Sequence, residues 1–214
     1  MSDRPSADPT QPIEPEAFLC TVVAPEYERH ISNLRARIRK LEQELADREA
    51  AATSIRMVIA GDGGGSWFLN VAGGVMHVAS EPTCPILFSC HQTYGDWRSL
   101  IGRGAMFGGS RRVSGEGGSG GPLRDSRIRR LQTLSGTVQL VLRGDEPSDE
   151  HSVVLHFGAG QPAVPAQVTV SMHEVDAAEL RSGKLDPQAA FLQGRVKISG
   201  DVGLAVQLGS ALFL

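Results

Sequence analysis

The chain has 214 residues, 41% hydrophobic and 21% charged, with a formal net charge of −3. That apolar share suffices for a packed core and excludes a wholly disordered chain, while no apolar run approaches the ~18 residues of a membrane-spanning helix. The mild acidity supplies no basic field for nucleic acid, and aromatic residues at 5% are few for base stacking.

The chain starts acidic and proline-studded, with Pro5, Pro9, Pro12 and Pro15. Residues 1–16 read as disordered. The run AFLCTVV that follows is open between a strand, a docking peptide and a buried staple, and residues 1–25 together are assigned to a disordered tail. The apolar stretch 17–24 lacks a basic flank of the signal-peptide kind, so the expected compartment is the cytoplasm. Three cysteines, Cys20, Cys84 and Cys90, cannot make a disulfide framework.

From residue 26 to 52 the apolar spacing changes to a 3.5-residue period, with Tyr27, Ile31, Leu34, Ile38, Leu41 and Leu45 on one stripe. The spacing predicts a helix of about 40 Å at ~1.5 Å per residue. Isoleucine at one core position and leucine at the other suit a two-stranded coiled coil, and hence a homo-oligomer. Antiparallel pairing sets Arg35 near Glu42 and Arg37 near Glu44, whereas parallel pairing brings Glu44 against Glu49; the charges favour antiparallel. A single amphipathic helix lying on its own domain is the other reading.

Beyond residue 52 the sequence repeats. The stretch 55–61 ends in Gly61-Asp62 and 138–144 ends in Gly144-Asp145. PILFSCH (85–91) matches QVTVSMH (167–173), placing Ser89 on Ser171 and His91 on His173. Helix-like segments follow at 96–104 and 177–185, and RVSGE (112–116) meets KISGD (197–201). A nearly constant offset over four blocks predicts a tandem pair of units, 53–121 and 122–214. Each reads as an α+β unit, one antiparallel-rich sheet with helices on its dry face. In the second unit, alternation turns Val138, Leu140, Leu142, Val153, Leu155, Phe157, Val168, Val170 and Met172 inward, and leaves Gln139, Arg143, Gln167, Thr169 and Ser171 on a wet face. Residues 123–134, with Arg127, Arg129 and Arg130, read as a short entry helix with a solvated basic face.

Residues 166–213 carry unusually complete punctuation. A strand at 168–172 leads into a helix that stops at Gly183. Asp186-Pro187 is an N-cap followed by proline at the first helical position, and that short helix stops at Gly194. A strand over 195–199 ends in Gly200-Asp201, which caps a last helix from 202 to about 213. This helix is apolar nearly all round, so it must be buried on several sides, line a cavity or meet a partner.

This pattern closely resembles the sterol carrier protein-2 family, whose motif falls on Gly183, Lys184, Leu185, Asp186, Pro187, Ala190, Phe191, Gly194, Arg195, Val196, Lys197, Ile198, Gly200 and Asp201. The resemblance is strongest over residues 134–214, with a weaker, degenerate echo over 53–121. It implies tandem sterol-carrier-like units behind a long N-terminal helix, and an apolar tunnel for a lipid or other hydrophobic molecule. Carried onto this chain, that tunnel is lined by Leu140, Leu142, Leu155, Phe157, Val168, Val170, Met172, Val196 and Ile198 of the strands, by Phe191, and by Leu204, Leu208 and Leu212 of the last helix. The resemblance offers no shared catalytic residue, and no acid, base and nucleophile converge in a motif, so the expectation is a binder that is no enzyme, with no cofactor and no metal. A scaffold with closed cores, holding a partner protein through the coil or the last helix, is the competing reading.

The first unit departs from the pattern. GAMFGGS (104–110) lacks the Asp-Pro cap, and GGSGGP after residue 116 cannot form an apolar helix, so this unit is expected to keep its sheet and lose its own pocket. Gly117-Gly118-Ser119-Gly120-Gly121 fits a nucleophile pattern in letters only, since no apolar strand feeds the serine; it reads as a linker. GDGGGS (61–66) lacks the lysine of a phosphate loop and reads as a hairpin turn. Cys84, Cys90, His77 and His91 lack the ligand spacing of a zinc site. Cys90 is expected inward, His151 and His156 on the solvent side of their strand, and Trp67 and Trp97 in the core.

Overall fold

The computed structural model describes residues 14–102, 125–146 and 149–213, and divides the chain into two compact units, Met1–Leu45 and Ala46–Leu214. The described part of the first, from residue 14, is helical. Helix α1 (Pro15–Phe18), with proline in its first turn, runs through a π turn at Leu19–Val23 into α2 (Ala24–Glu49). The helix therefore opens well before residue 26, which corrects the disordered tail expected over 1–25 from Pro15 onward, and the open question over AFLCTVV is answered by helix. Phe18, Leu19, Val22 and Val23 are exposed on it, as are Tyr27, Leu34, Ile38, Leu41 and Leu45. A π turn holds one residue more than an α turn and so re-aims the side chains before it. The last helical turn belongs with the second unit, where Ala51 is fully buried.

The second unit is built on a single eight-stranded sheet. Its strands are β1 (Thr53–Ala60), β2 (Gly65–Ala72), β3 (Val75–Ala79), β4 (Ile86–Thr93), β5 (Gly136–Arg143), β6 (Glu150–Phe157), β7 (Val168–His173) and β8 (Val196–Gly200), in the order β3-β2-β1-β4-β6-β5-β7-β8. Hairpin β1–β2 has β4 parallel on its other side, and hairpin β5–β6 has β7 parallel. Strands β3 and β8 extend the two ends. The halves meet where β4 pairs antiparallel with β6 at Ser89↔His156, Cys90↔Leu155 and His91↔Val154. The stretch 61–66 is the expected turn into β2, with Gly65 already paired to Ile59.

The helices are α3 (Tyr94–Gly102), α4 (Asp125–Leu131), α5 (Glu174–Arg181), α6 (Pro187–Leu192) and α7 (Val202–Phe213). Local chemistry sets their ends as the sequence predicts. The Asp186 side chain accepts a hydrogen bond from Ala189 N at 2.9 Å, with Pro187 at the first position. Asp201 accepts from Leu204 N at 3.0 Å. Gly183 and Gly194 both take φ +71°, where a Cβ would be strained, and so allow the chain to leave α5 and α6.

One face of the sheet carries the core. Val138, Phe157 and Val168 pack with Leu204, Ala205, Leu208 and Ala211 of α7 and with Ile128 and Leu131 of α4. Gly136 lets α7 approach: a Cβ there would lie 2.6 Å from Leu204 Cδ2. Farther along the sheet, Ile55, Met57 and Cys90 form a second buried group with Leu69, Phe88, Val153 and Leu155 against it.

The opposite face departs from the wet surface the alternation suggests, because Thr137, Val141 and His156 on it are buried. Thr137 lies under the segment after β6: Ala163 N donates to Thr137 Oγ1 at 2.8 Å, and that hydroxyl meets His156 Nδ1 at 3.0 Å. His156 is thus no solvated histidine. The tryptophans are no core anchors either: Trp67 is exposed, and Trp97 is half-buried and stacks on Tyr94 with ring centroids 5.8 Å apart. The readings of 104–110, 112–116 and 117–121 lie outside the described residues.

Candidate functional site

The apolar face of β4 to β8 runs from a tightly covered end to a less covered one. At the first, Val138 and Val168 are fully buried, and Phe157, Leu204 and Leu208 nearly so, in one cluster. Leu140, Leu155, Val170 and Ile198 pack against that cluster and are partly buried. Beyond them Leu142, Met172 and Val196 are half-buried; register puts Leu142 beside Met172, and Met172 beside Val196. Eleven of the thirteen residues expected to line a tunnel therefore share this face or the α7 surface against it. Phe191 is not brought to them: it is half-exposed on α6, a six-residue helix that buries Ala190 instead. Leu212 lies in α7 with its side chain outside the described residues.

Polar groups collect at the less covered end. Gln92, at the end of β4, is 7% exposed, and neither its Oε1 nor its Nε2 has a hydrogen-bond partner. His151, at the start of β6, has a buried Nε2 with no partner, while its Nδ1 lies 3.4 Å from Asp96 Oδ1. Asp96 is fixed in the first turn of α3. Its Oδ2 accepts from Thr93 Oγ1 at 2.7 Å, and its Oδ1 from Ser152 N at 3.3 Å. His151, placed by the sequence on the solvent side, sits instead on the face of Leu142 and Val153, because side chains of one strand alternate and His156 takes the other face. No sequence signal marks Gln92, an ordinary polar residue in an apolar strand until β6 is laid beside it.

Burial pushes the Cys90 thiol up to about 12, so it acts as a small apolar group. On the opposite face His91 is held below the usual imidazole value, first by burial and then by the charges of Arg56 and His156. Beyond α5, Arg195 donates to Asp176 Oδ1 at 2.7 Å and to Glu179, which ties the start of β8 to that helix and raises the Arg195 pKa further. Arg129 pairs with Asp125 one turn back on α4. Among the described residues, no three of His, Cys, Asp and Glu gather as a metal ion would need, and no helix is long and apolar enough to cross a membrane.

An α+β sheet with an apolar helix closing one end of its face, behind the Asp-Pro and Gly-Asp punctuation, defines the class: residues 123–213 match the SCP-2 sterol transfer family. The resemblance read from the sequence thus holds for the segment that carries it. Hydroxysteroid dehydrogenase-like protein 2 of Xenopus tropicalis is 35% identical over 86 residues, 38% of this chain and 21% of that protein. Peroxisomal multifunctional enzyme A of Dictyostelium discoideum is 38% identical over 61 residues, 28% of this chain and 13% of that protein. The chain therefore matches about a fifth or less of these relatives' length. Among solved structures, sterol carrier protein 2 like 2 of Aedes aegypti is similar over 54% of this chain and 95% of that one, at 20% identity and a TM-score of 0.31.

These relatives correct one expectation. The chain was read as no enzyme, yet two proteins it matches are named as a dehydrogenase-like protein and a multifunctional enzyme, so that exclusion does not stand. The physical reason is plain: a search for converging acids, bases and nucleophiles tests only the stretch searched. It is blind to the chemistry of chains in which the same stretch occurs, and here the matches cover only that stretch.

Proposed function

We propose that the chain binds a lipid or other hydrophobic molecule on the apolar face of the sheet. The observation that carries this reading is the family match over residues 123–213, on a face whose far end is only partly covered. We assign the ligand to Leu140, Leu142, Leu155, Val170, Met172, Val196 and Ile198 and not to the α7 end, where Leu204 and Leu208 sit in a filled cluster. Each methylene of a bound chain removed from water contributes up to ~0.8 kcal/mol, offset by the costs of association, so micromolar affinity is expected. A ligand at ~100 times its Kd stabilises the fold by about 2.7 kcal/mol. Acyl and polyprenyl ligands should therefore raise the melting temperature; no shift with any, together with lipid-free native mass spectra, refutes the proposal.

The sheet also supports reading the second unit as a tandem pair. Each half has a hairpin, a parallel third strand and a helix directly after it, and Ala60↔Thr93 occupies the place of Arg143↔His173. On this alignment Thr93, two residues beyond the His91 that the sequence repeat matches, corresponds to His173, and both cap the next helix, Thr93 Oγ1 accepting from Asp96 N and His173 Nδ1 from Val175 N. A second role, self-association through α2, is favoured by its exposed stripe of Tyr27, Leu34, Ile38, Leu41 and Leu45. Deletion of residues 1–45, which spares buried Ala51, should reduce the assembly; equal sedimentation of the two chains removes the coil as an interface.

A further inference from the structure

We infer that the polar end of the apolar face seats the uncharged hydroxyl of a long-chain amphiphile between the Gln92 side-chain amide and His151 Nε2. This rests on the lipid-binding reading and adds a head-group position to it, with an anchor, Gln92, outside the segment that matches the family.

Gln92 follows Cys90 on the apolar side of β4, and its Cα partner in β1 is Ile59, itself buried. The β4–β6 register ends at His91↔Val154; one residue on, it brings Gln92 level with Val153, and His151 is the next residue of β6 on that face. Such diagonal neighbours lie within reach of long side chains. The amide and the imidazole thus share a sheet face with Met57, Leu155 and Leu142, and three of their buried polar atoms are unpartnered. Buried polar groups are nearly always hydrogen-bonded, and an orphaned one costs stability that a fold retains only where something answers it.

The chemistry of the three atoms selects the occupant. The Asp96 carboxylate can only accept, so in the tautomer that carries its proton on Nδ1 facing Asp96, His151 presents Nε2 as an acceptor. Gln92 offers a second acceptor, Oε1, and a donor, Nε2. A hydroxyl answers two of the three atoms at once, donating to one acceptor and accepting from the amide. An ether lacks the proton to donate. A carboxylate also lacks it, and in addition faces the Asp96 charge behind the imidazole.

The test uses the full chain and three probes of equal chain length at pH 8: 1-dodecanol, 1-methoxydodecane and dodecanoate, titrated calorimetrically. The alcohol should bind at least ~10-fold tighter than either competitor, the scale of one buried hydrogen bond left unmade. In Gln92→Leu the alcohol and the ether should both weaken by ~3-fold or more, since each loses the amide donor, and the ligand-free protein should melt higher, since an orphaned amide is gone. Gln92→Met, of similar length, should do the same if leucine is poorly accommodated. Equal binding of all three probes, or an undiminished alcohol affinity in both variants, overturns the seat and leaves lipid binding standing. Failure of every probe to bind overturns both.

Discussion

Leu208→Ala tests whether the α7 end of the face is filled. Leu208 is 6% exposed in the cluster with Val138, Phe157, Val168 and Leu204. Truncation to alanine removes three carbons, about 2.4 kcal/mol of transfer free energy at ~0.8 kcal/mol each. If the neighbours hold their places, unfilled space adds to this, for a total of about 3–4 kcal/mol. With a urea m-value of ~2 kcal/mol/M, the unfolding midpoint should fall by roughly 1.5–2 M. Leu142→Ala, at the half-buried end, should cost less than about 1.5 kcal/mol, because water or ligand already reaches that side chain. Urea titrations followed by tryptophan fluorescence read both. A loss below ~1.5 kcal/mol at Leu208 refutes the packing described, because a leucine lining an open space gives up contact on one side only. Equal losses at the two positions remove the gradient on which the ligand assignment rests.

Three further outcomes are expected. Gly136→Ala should destabilise by about 2–4 kcal/mol, because φ is +141° there and the new methyl would meet Leu204 Cδ2 and, at 2.7 Å, Gln167 Oε1; a neutral effect in thermal melts would mean that α7 does not pack so close. His91 binds its proton less readily folded than unfolded, so its contribution is complete above about pH 6.5 and is lost as the pH falls from there toward the lowered value. A His91→Gln chain should lose less stability than the natural one between pH 7 and 5, and identical pH profiles would count against the burial of that ring. Cys20, exposed on the N-terminal helix, should react with a maleimide at pH 7 in the native protein, whereas Cys90 should react only after unfolding; mass spectra of the labelled peptides distinguish them.

The features legible in the sequence are those whose cause is local. Asp186-Pro187, Gly183, Gly194 and Gly200-Asp201 each fix a helix end or turn through their own side chain or φ, and α6, β8 and α7 fall where that chemistry puts them. Period-two alternation likewise found the face of Val138, Leu140 and Leu142. What stayed hidden depends on residues far apart in the chain. The β4–β6 pairing lays His156 beside Ser89 and continues to bring Gln92 level with Val153, and no periodicity within either strand contains it. The N-terminal helix was read short because its first apolar run lacks the heptad spacing, and a π turn breaks the phase between them.

The seam at Ser89↔His156, Cys90↔Leu155 and His91↔Val154 has a practical consequence for anyone dissecting the molecule. A fragment cut to the recognisable segment, 123–213, strips β6 of its neighbour and bares a row of backbone donors and acceptors flanked by Val153 and Leu155. Naked borders of that kind recruit other chains, so the excised piece should clump or pair with itself, and ligand measurements on it would describe an artefact of the scissors.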